Sequence, residues 1–320
     1  MPRFVRLYEG IRAFKRPPAT MGEGTLKIAV TGANGFVGGR VAERCAQAGH
    51  HVLAIGRGAS RADCQAIDAR FDQIDWSRLG GLDVLLHFAA VNDTSIRDDS
   101  ELRRVNVDAA VGCMRHAIAA GCRRIVYASS LHVYGPVPSP MTVTGSPTRP
   151  VSAYGRSKLQ LEREAAAIAA RHGVDCIGLR FANVYGPGEA HKGRMASQVL
   201  QIARQMRAGD PEIFSPGTQS RDFVHVDDAA AAAVAAAVVT NGQLPPLLNC
   251  GTGDGTTFND LVILLNAALG LHRTPRYIPE PQGYLREVVL DVAVTRSRLA
   301  WQPRPLAEGI ADYLASGELA

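Results

Sequence analysis

The chain has 320 residues, 46% of them hydrophobic and 20% charged, enough for one large domain and a smaller one around a substantial core. Its formal net charge is +5, but the first 24 residues hold five basic side chains against two acidic ones. The remainder is only about +2, too little for a nucleic-acid surface. No apolar run approaches the ~18 residues of a membrane span. The six cysteines (Cys45, Cys64, Cys113, Cys122, Cys176, Cys250) show neither C-x-x-C pairs nor metal spacing. They read as buried small hydrophobes in a reducing compartment, with no metal site.

Residues 1–24 form a basic tail without the apolar core of a secretory signal, and are expected to be a disordered extension or an upstream start before Met21. From Thr25 the pattern is regular. "TLKIAVTG" predicts a buried strand, "FVGGRVAERCAQAG" a helix with Val37, Val41, Cys45 and Ala48 on one face, and "HHVLAIGR" a second strand. Further strands are predicted at "LDVLLHFAA", "CRRIVYASS" and "VDCIGLRFAN", spaced widely enough for parallel crossovers. The fold class is α/β, a Rossmann-type doubly wound parallel sheet with a smaller α/β substrate-binding part. The expected division is 25–180, with returning segments, for the cofactor and mainly 181–320, interleaved, for the substrate.

Between the first strand and helix lies "TGANGFVG", with Gly32, Gly35 and Gly38 in G-x-x-G-x-x-G spacing and Asn34 and Phe36 between them. Glycines there permit a tight turn and close approach of a pyrophosphate, which the helix N-terminus favours through its free N–H groups. The second strand runs into "GRGASR", with Arg57 and Arg61 where a carboxylate would hold the ribose of NAD. A guanidinium suits a 2′-phosphate, so NADP is expected, NAD remaining possible. Farther on, Ser130 in "YASSLHVYG" is followed 24 residues later by Tyr154 and Lys158 in "YGRSK". Four residues apart on a helix they share a face, so the ammonium is expected to lower the phenol pKa toward a useful base. Asp227 reads as a structural N-cap of the alanine-rich helix after it.

These motifs, with "HFAA" at Ala89, "VNV" at Asn106, "RFANVYGPG", "RDFVHVDD", "LNCGTG" and a late "LAW", run in order from about Thr25 to Trp301. In that order they resemble the extended short-chain dehydrogenase/reductases, in the nucleotide-sugar epimerase and dehydratase branch. The resemblance implies a cytoplasmic enzyme, a homodimer or higher homo-oligomer, acting on a nucleotide sugar with NAD(P). It implies that Ser130 hydrogen-bonds the reacting hydroxyl, Tyr154 exchanges its proton, Lys158 binds the nicotinamide ribose, and Asn106 and Ala89 support the cofactor. Asn183, Arg221 and Arg286 are the implied substrate contacts.

The stretch "NVYGPGEAHKGRMAS" is similar to the ADP-L-glycero-D-manno-heptose 6-epimerases. That likeness makes Lys192 a second catalytic acid/base and places His191 against the substrate. The first half looks more like UDP-sugar 4-epimerases, and Ser-Ser-x-His, ending at His132, is similar to uronate dehydrogenases, which keeps a net oxidation open. A 4,6-dehydratase fits less well, since Leu131 and His132 replace its Asp-Glu. An NADP-sensing binding protein on the same fold would have no need of Ser130, Tyr154 and Lys158 together.

Overall fold

The computed structural model describes residues 24–58, 63–93, 95–96, 98–240 and 244–319; the basic tail and Arg61 lie outside the described residues. The order begins β1 (Lys27–Thr31), α1 (Phe36–Gln47), β2 (His51–Gly56), β3 (Gln65–Asp68) and β4 (Val84–His87). Then come α2 (Asp99–Arg103), a π-helical stretch (Arg104–Ala109), α3 (Ala110–Ala119), β5 (Arg124–Ser130), α4 (Ala153–His172) and β6 (Asp175–Phe181). The later part holds β7 (Asn183–Tyr185), α5 (Gln198–Ala208), β8 (Glu212–Phe214), β9 (Ser220–His225), α6 (Val226–Val238), β10 (Leu247–Cys250) and β11 (Gly255–Thr257). It closes with α7 (Phe258–Leu269), β12 (Arg276–Ile278), β13 (Glu287–Val288), α8 (Ala293–Leu299) and α9 (Leu306–Ala315).

The main sheet is wholly parallel, in the order β3-β2-β1-β4-β5-β6-β10. Successive strand residues face opposite sides, and both sides are covered. Ile28, Val30, Val84, Leu86 and Val126 pack with Val41, Cys45 and the alanines of α6. Ala29, Leu53, Leu85, Ile125 and Tyr127 pack with Met114, Ala117, Leu161 and Ala165 of α3 and α4. The chain order reverses between β1 and β4, so their carboxyl ends open the crevice in which such sheets bind ligands. A third core, among α5, α7, α9 and β9, supports β7, β11 and β13 around β9.

Two local expectations are corrected. The buried residues of α1 are Gly38, Val41, Ala42 and Cys45, while Ala48 is the exposed C-cap, because the helix ends two residues sooner, at Gln47. The N-cap of α6 is His225, whose ring accepts from the Asp227 amide. Asp227 lies in the first turn and pairs with Arg40 of α1 at 3.1 Å. None of the six cysteines is in a disulfide. Among the described residues no helix is long and apolar enough to cross a membrane, and no His/Cys/Asp/Glu group could hold a metal ion.

Candidate active site

The glycine turn lies at the mouth of that crevice. Gly32 has φ +73°, and a Cβ there would stand 2.7 Å from the Ala89 nitrogen; one on Gly38 would stand 2.3 Å from the Gly32 carbonyl. The turn therefore tolerates no side chains at these points. Gly35, the N-cap of α1, is extended and provides no side-chain cap, so the first amides of the helix are left for a ligand. Asn34 Nδ2 donates to the Arg57 carbonyl at 2.6 Å, tying the turn to the end of β2. Arg57 is exposed there. Asp68, at the end of β3, accepts from the Gly58 amide at 2.6 Å and was not singled out by the sequence. This cradle, shaped by backbone and closed to any Cβ, fits a dinucleotide.

Ser130 ends β5, and its hydroxyl meets the Tyr154 phenol while accepting from the His132 amide at 3.2 Å. Tyr154 and Lys158 share one face of α4, whose start is fixed by Ser152 accepting from the Gly155 amide at 3.0 Å. Lys158 Nζ donates to the Ala128 carbonyl at 2.9 Å and lies 5.7 Å from the Tyr154 ring centroid. Burial pushes the phenol up to about 12, with the Ser130 hydrogen bond pulling the other way. This corrects the expectation of a phenol lowered by lysine: in the protein alone desolvation dominates. The same burial brings the Lys158 ammonium down to about 8, against the opposing charge of Glu162.

Asn106 is buried in the π-helical stretch and pairs with both backbone groups of Val91 at 2.8 Å, and with Ser157 Oγ at 3.1 Å. It joins the loop after β4, which carries Ala89, to the catalytic helix.

From the other side, the His132 ring meets Tyr154 edge-on at 5.8 Å between centroids. Burial, and next the Arg221 charge, lower its pKa, so it stands neutral with Arg221 nearby. The Arg221 guanidinium lies 4.8 Å over Tyr284 and 5.8 Å over Phe258. Asn183 starts β7, and its Nδ2 is engaged by the Asp222 carbonyl at 2.9 Å. Arg286 is exposed, pairs with Glu280 at 3.3 Å, and lines a cavity of about 510 Å³ with Thr218, Ser220 and Thr257.

Lys192 sits in the 3₁₀ turn Ala190–Met195, beside an exposed His191. Its ammonium is 4.0 Å from Glu189 Oε2 and 4.9 Å over the ring of Phe36, the first residue of α1. Burial lowers its pKa and Glu189 opposes. Glu189 is fully buried, accepting from the Gly186 amide at 3.2 Å, the Ser197 amide at 2.5 Å and the Ser197 hydroxyl at 2.7 Å. Glu189 is not among the residues expected from sequence; a carboxylate three residues before a lysine in a glycine-rich loop is the signal that points to it.

The model of the NAD-dependent epimerase/dehydratase family matches residues 28–251, and the chain belongs to that family. It is an enzyme of the epimerase class. A UDP-glucose 4-epimerase of Mycolicibacterium smegmatis is 32% identical over 305 residues, 89% of this chain and 96% of that one. An ADP-L-glycero-D-manno-heptose-6-epimerase of Cupriavidus pinatubonensis is 32% identical over 267 residues, 75% and 77% of the two chains. Among solved structures, MoeE5 in complex with UDP-glucuronic acid and NAD is 31% identical with a TM-score of 0.79, covering 91% of this chain and 98% of that one. The Helicobacter pylori heptose-6-epimerase is 28% identical, also with a TM-score of 0.79, over 91% and 96%.

Proposed function

We propose that this chain epimerises a nucleotide sugar by transient oxidation and re-reduction, with an ADP-glycero-manno-heptose-like substrate inverted at C6. The observation that carries the reading is Lys192. The chain holds only four lysines (Lys15, Lys27, Lys158 and Lys192) against 31 arginines. A loop cation that merely held phosphate is well served by arginine, the cation this chain uses at most positions. An arginine cannot give up its proton, whereas a partly desolvated lysine can. Burial of Lys192 favours the neutral amine, while the Glu189 carboxylate and the Phe36 ring favour the ammonium, so both protonation states are supported and a proton can be exchanged.

A bound nicotinamide dinucleotide supplies the hydride acceptor and donor and, when oxidised, a positive charge. The Tyr154 phenolate, favoured by that charge and by the Lys158 ammonium, takes the hydroxyl proton as the carbinol becomes a ketone. Ser130 holds the same oxygen. After the ketone turns, its oxygen lies elsewhere, and the Lys192 ammonium protonates it as hydride returns to the other face. Exchange with solvent resets both groups. Arg221, Arg286, Asn183, His132 and His191 orient the substrate, on the lobe formed mainly by 181–320. The cofactor is held by 25–180 with the returning α6 and β10. Arg57 favours NADP over NAD. Six cysteines outside any disulfide suit a cytoplasmic enzyme, and a homodimer is the proposed assembly.

The second reading is a UDP-sugar 4-epimerase, favoured by the M. smegmatis likeness over 89% of the chain. There a single tyrosine serves both half-reactions. Lys192→Met separates the two: a loss of turnover of about a hundredfold at saturating nucleotide sugar supports two bases. A raised Michaelis constant with turnover nearly unchanged retires them. Proton NMR of a panel of ADP- and UDP-sugars, looking for isomerisation without net cofactor reduction, identifies the substrate.

A further inference from the structure

The last three residues of β5 each engage one turn of α4. Ser130 meets Tyr154, the Ala128 carbonyl accepts from Lys158 at 2.9 Å, and Ser129 Oγ donates to Glu162 Oε1 at 2.6 Å. Residues 154, 158 and 162 recur every fourth position, so the strand end and one face of the helix form a three-rung ladder. The third rung is braced from β6, where Arg180 Nε and Nη2 donate to the two Glu162 oxygens at 2.8 and 2.7 Å. Ser129, Lys158, Glu162 and Arg180 are all 3% exposed.

The brace continues. Arg180 lies 4.7 Å over the Tyr134 ring, and the Tyr134 hydroxyl donates to Asn249 Oδ1 at 2.6 Å. Asn249 in turn donates to the Met141 and Asp291 carbonyls at 2.7 and 3.0 Å. A buried ion pair adds little net stability over a well-packed apolar substitute, so stability alone is a weak reason to place one here. Its location beneath the catalytic pair is the better one.

We propose that Glu162, held by Arg180 and Ser129, is a positioning residue for Tyr154 and Lys158: it fixes α4 in register on the end of β5 and supplies the negative charge that keeps Lys158 an ammonium. This rests on the reading of Tyr154 and Lys158 as the proton-transfer pair. The other titratable groups around that ammonium are Tyr154 on its own helix, His87 on β4, His132 after β5 and Arg180 on β6, with Asp99 and Arg156 paired at the helix start. Glu162, one turn along the same helix, is the carboxylate whose charge holds the ammonium up against burial.

With four lysines in the chain, the Lys158 ε-carbon can be followed by NMR in lysine-labelled protein, assigned with Lys158→Arg. In unmodified protein its titration should centre near pH 8. Glu162→Gln should move the midpoint down by about one unit or more, and Glu162→Asp should restore most of it, which a purely structural role would not do. If Glu162→Gln does not fold, Arg180→Met lifts the opposing guanidinium from Glu162 and should move the midpoint up. Ser129→Ala keeps both charges, so its midpoint should stay, while turnover in the NMR panel falls about fivefold or more through lost register.

An unmoved midpoint in folded Glu162→Gln or Arg180→Met overturns the proposal. Full turnover in Ser129→Ala also overturns it, and decides the matter if neither charge variant folds. Tyr154→Phe separates the underlying reading: if it keeps full activity the acid/base assignment fails, whereas an inactive Tyr154→Phe beside a fully active Ser129→Ala fails only the ladder.

Discussion

The two lysines of the cleft are held in opposite ways. Lys158 projects from a 20-residue helix onto the end of a central strand, is 3% exposed, and its ammonium is engaged by a backbone carbonyl. Lys192 projects from a short turn containing Gly193 at φ +54°, next to Arg194, which reaches Asp93 at 3.5 Å from a side chain that is 78% exposed. One is built into the interior of the sheet, the other into a loop braced at a few points. On the proposed function, the oxidation of the carbinol sits on the rigid elements. What distinguishes one substrate from another sits on loops that vary without disturbing the core.

The sharpest way to break that contrast is to remove the group on each side. Tyr154→Phe should lower turnover by about 10²- to 10⁴-fold with cofactor affinity retained, the range expected for a lost general acid/base. Calorimetric cofactor binding together with product NMR checks it; turnover within tenfold of the unmodified enzyme would move the chemistry elsewhere. Lys192→Met should cost about a hundredfold in isomerisation on the two-base reading. Its melting temperature should hardly move, because the ammonium packs on a ring and a carboxylate at the edge of the cleft. If Lys192→Met were as unstable as a core variant, the loop would be part of the rigid frame and the contrast would dissolve.

A third prediction sharpens the interior half through pH. The folded Lys158 pKa of about 8 lies below the ordinary value of 10.5, so the folded state releases this proton first. Between pH 8 and 10.5 the unfolded chain binds more protons, so this group makes folding more favourable as pH rises; below pH 8 the buried ammonium is a full cost. Lys158→Met should therefore raise stability at pH 7 by on the order of 1–3 kcal/mol, less the lost hydrogen bond, and abolish activity. The gain should shrink as pH rises through that window. Thermal melts at pH 7 and 10 test it, and a destabilised variant at pH 7 would mean the ammonium is better solvated than its surroundings suggest. The activity of the unmodified enzyme should decline above pH 8, as the charge that supports the Tyr154 anion is lost.

The same division explains what was legible in the sequence. The β1-α1-β2 unit, β4, β5, β6 and the Ser130, Tyr154 and Lys158 set follow from apolar runs, glycine spacing and helical period, all of which are local signals. β3 was not legible, since "QAID" is mostly exposed and gains its place only by pairing with β2. β10 was visible only as part of a motif, because its role as the seventh strand depends on a return across β6 from far along the chain. Glu162 and Arg180 look like ordinary charged residues of a helix and a strand; only the packing of α4 over β5 and β6 buries them together. Glu189 and Asp68 are similar cases, carboxylates whose partners are backbone amides of loops. Asp227 is the second residue of its helix and not the N-cap, because His225, two positions earlier, accepts the capping bond.

The smallest expected effect concerns the exposed end of the cofactor cleft. Asn34 fixes the carbonyl of Arg57 and Asp68 fixes the amide of Gly58, so the backbone at the end of β2 is set while the Arg57 side chain remains exposed. MoeE5 is in complex with NAD, whose ribose carries a plain 2′-hydroxyl. An exposed guanidinium beside a 2′-phosphate contributes about 1 kcal/mol, since water and salt screen the pair, corresponding to a preference for NADP of roughly five- to tenfold. Arg57→Asp replaces attraction by repulsion toward the phosphate and offers a hydroxyl an acceptor, so the preference should vanish or invert. The effect should weaken with added salt, as screening dictates for an exposed charge, whereas a buried site would be indifferent. Calorimetry of NAD and NADP at two salt concentrations decides the matter. NAD binding more tightly to the unmodified protein would show that Arg57 faces solvent and leaves the ribose to Asp68 and the neighbouring backbone.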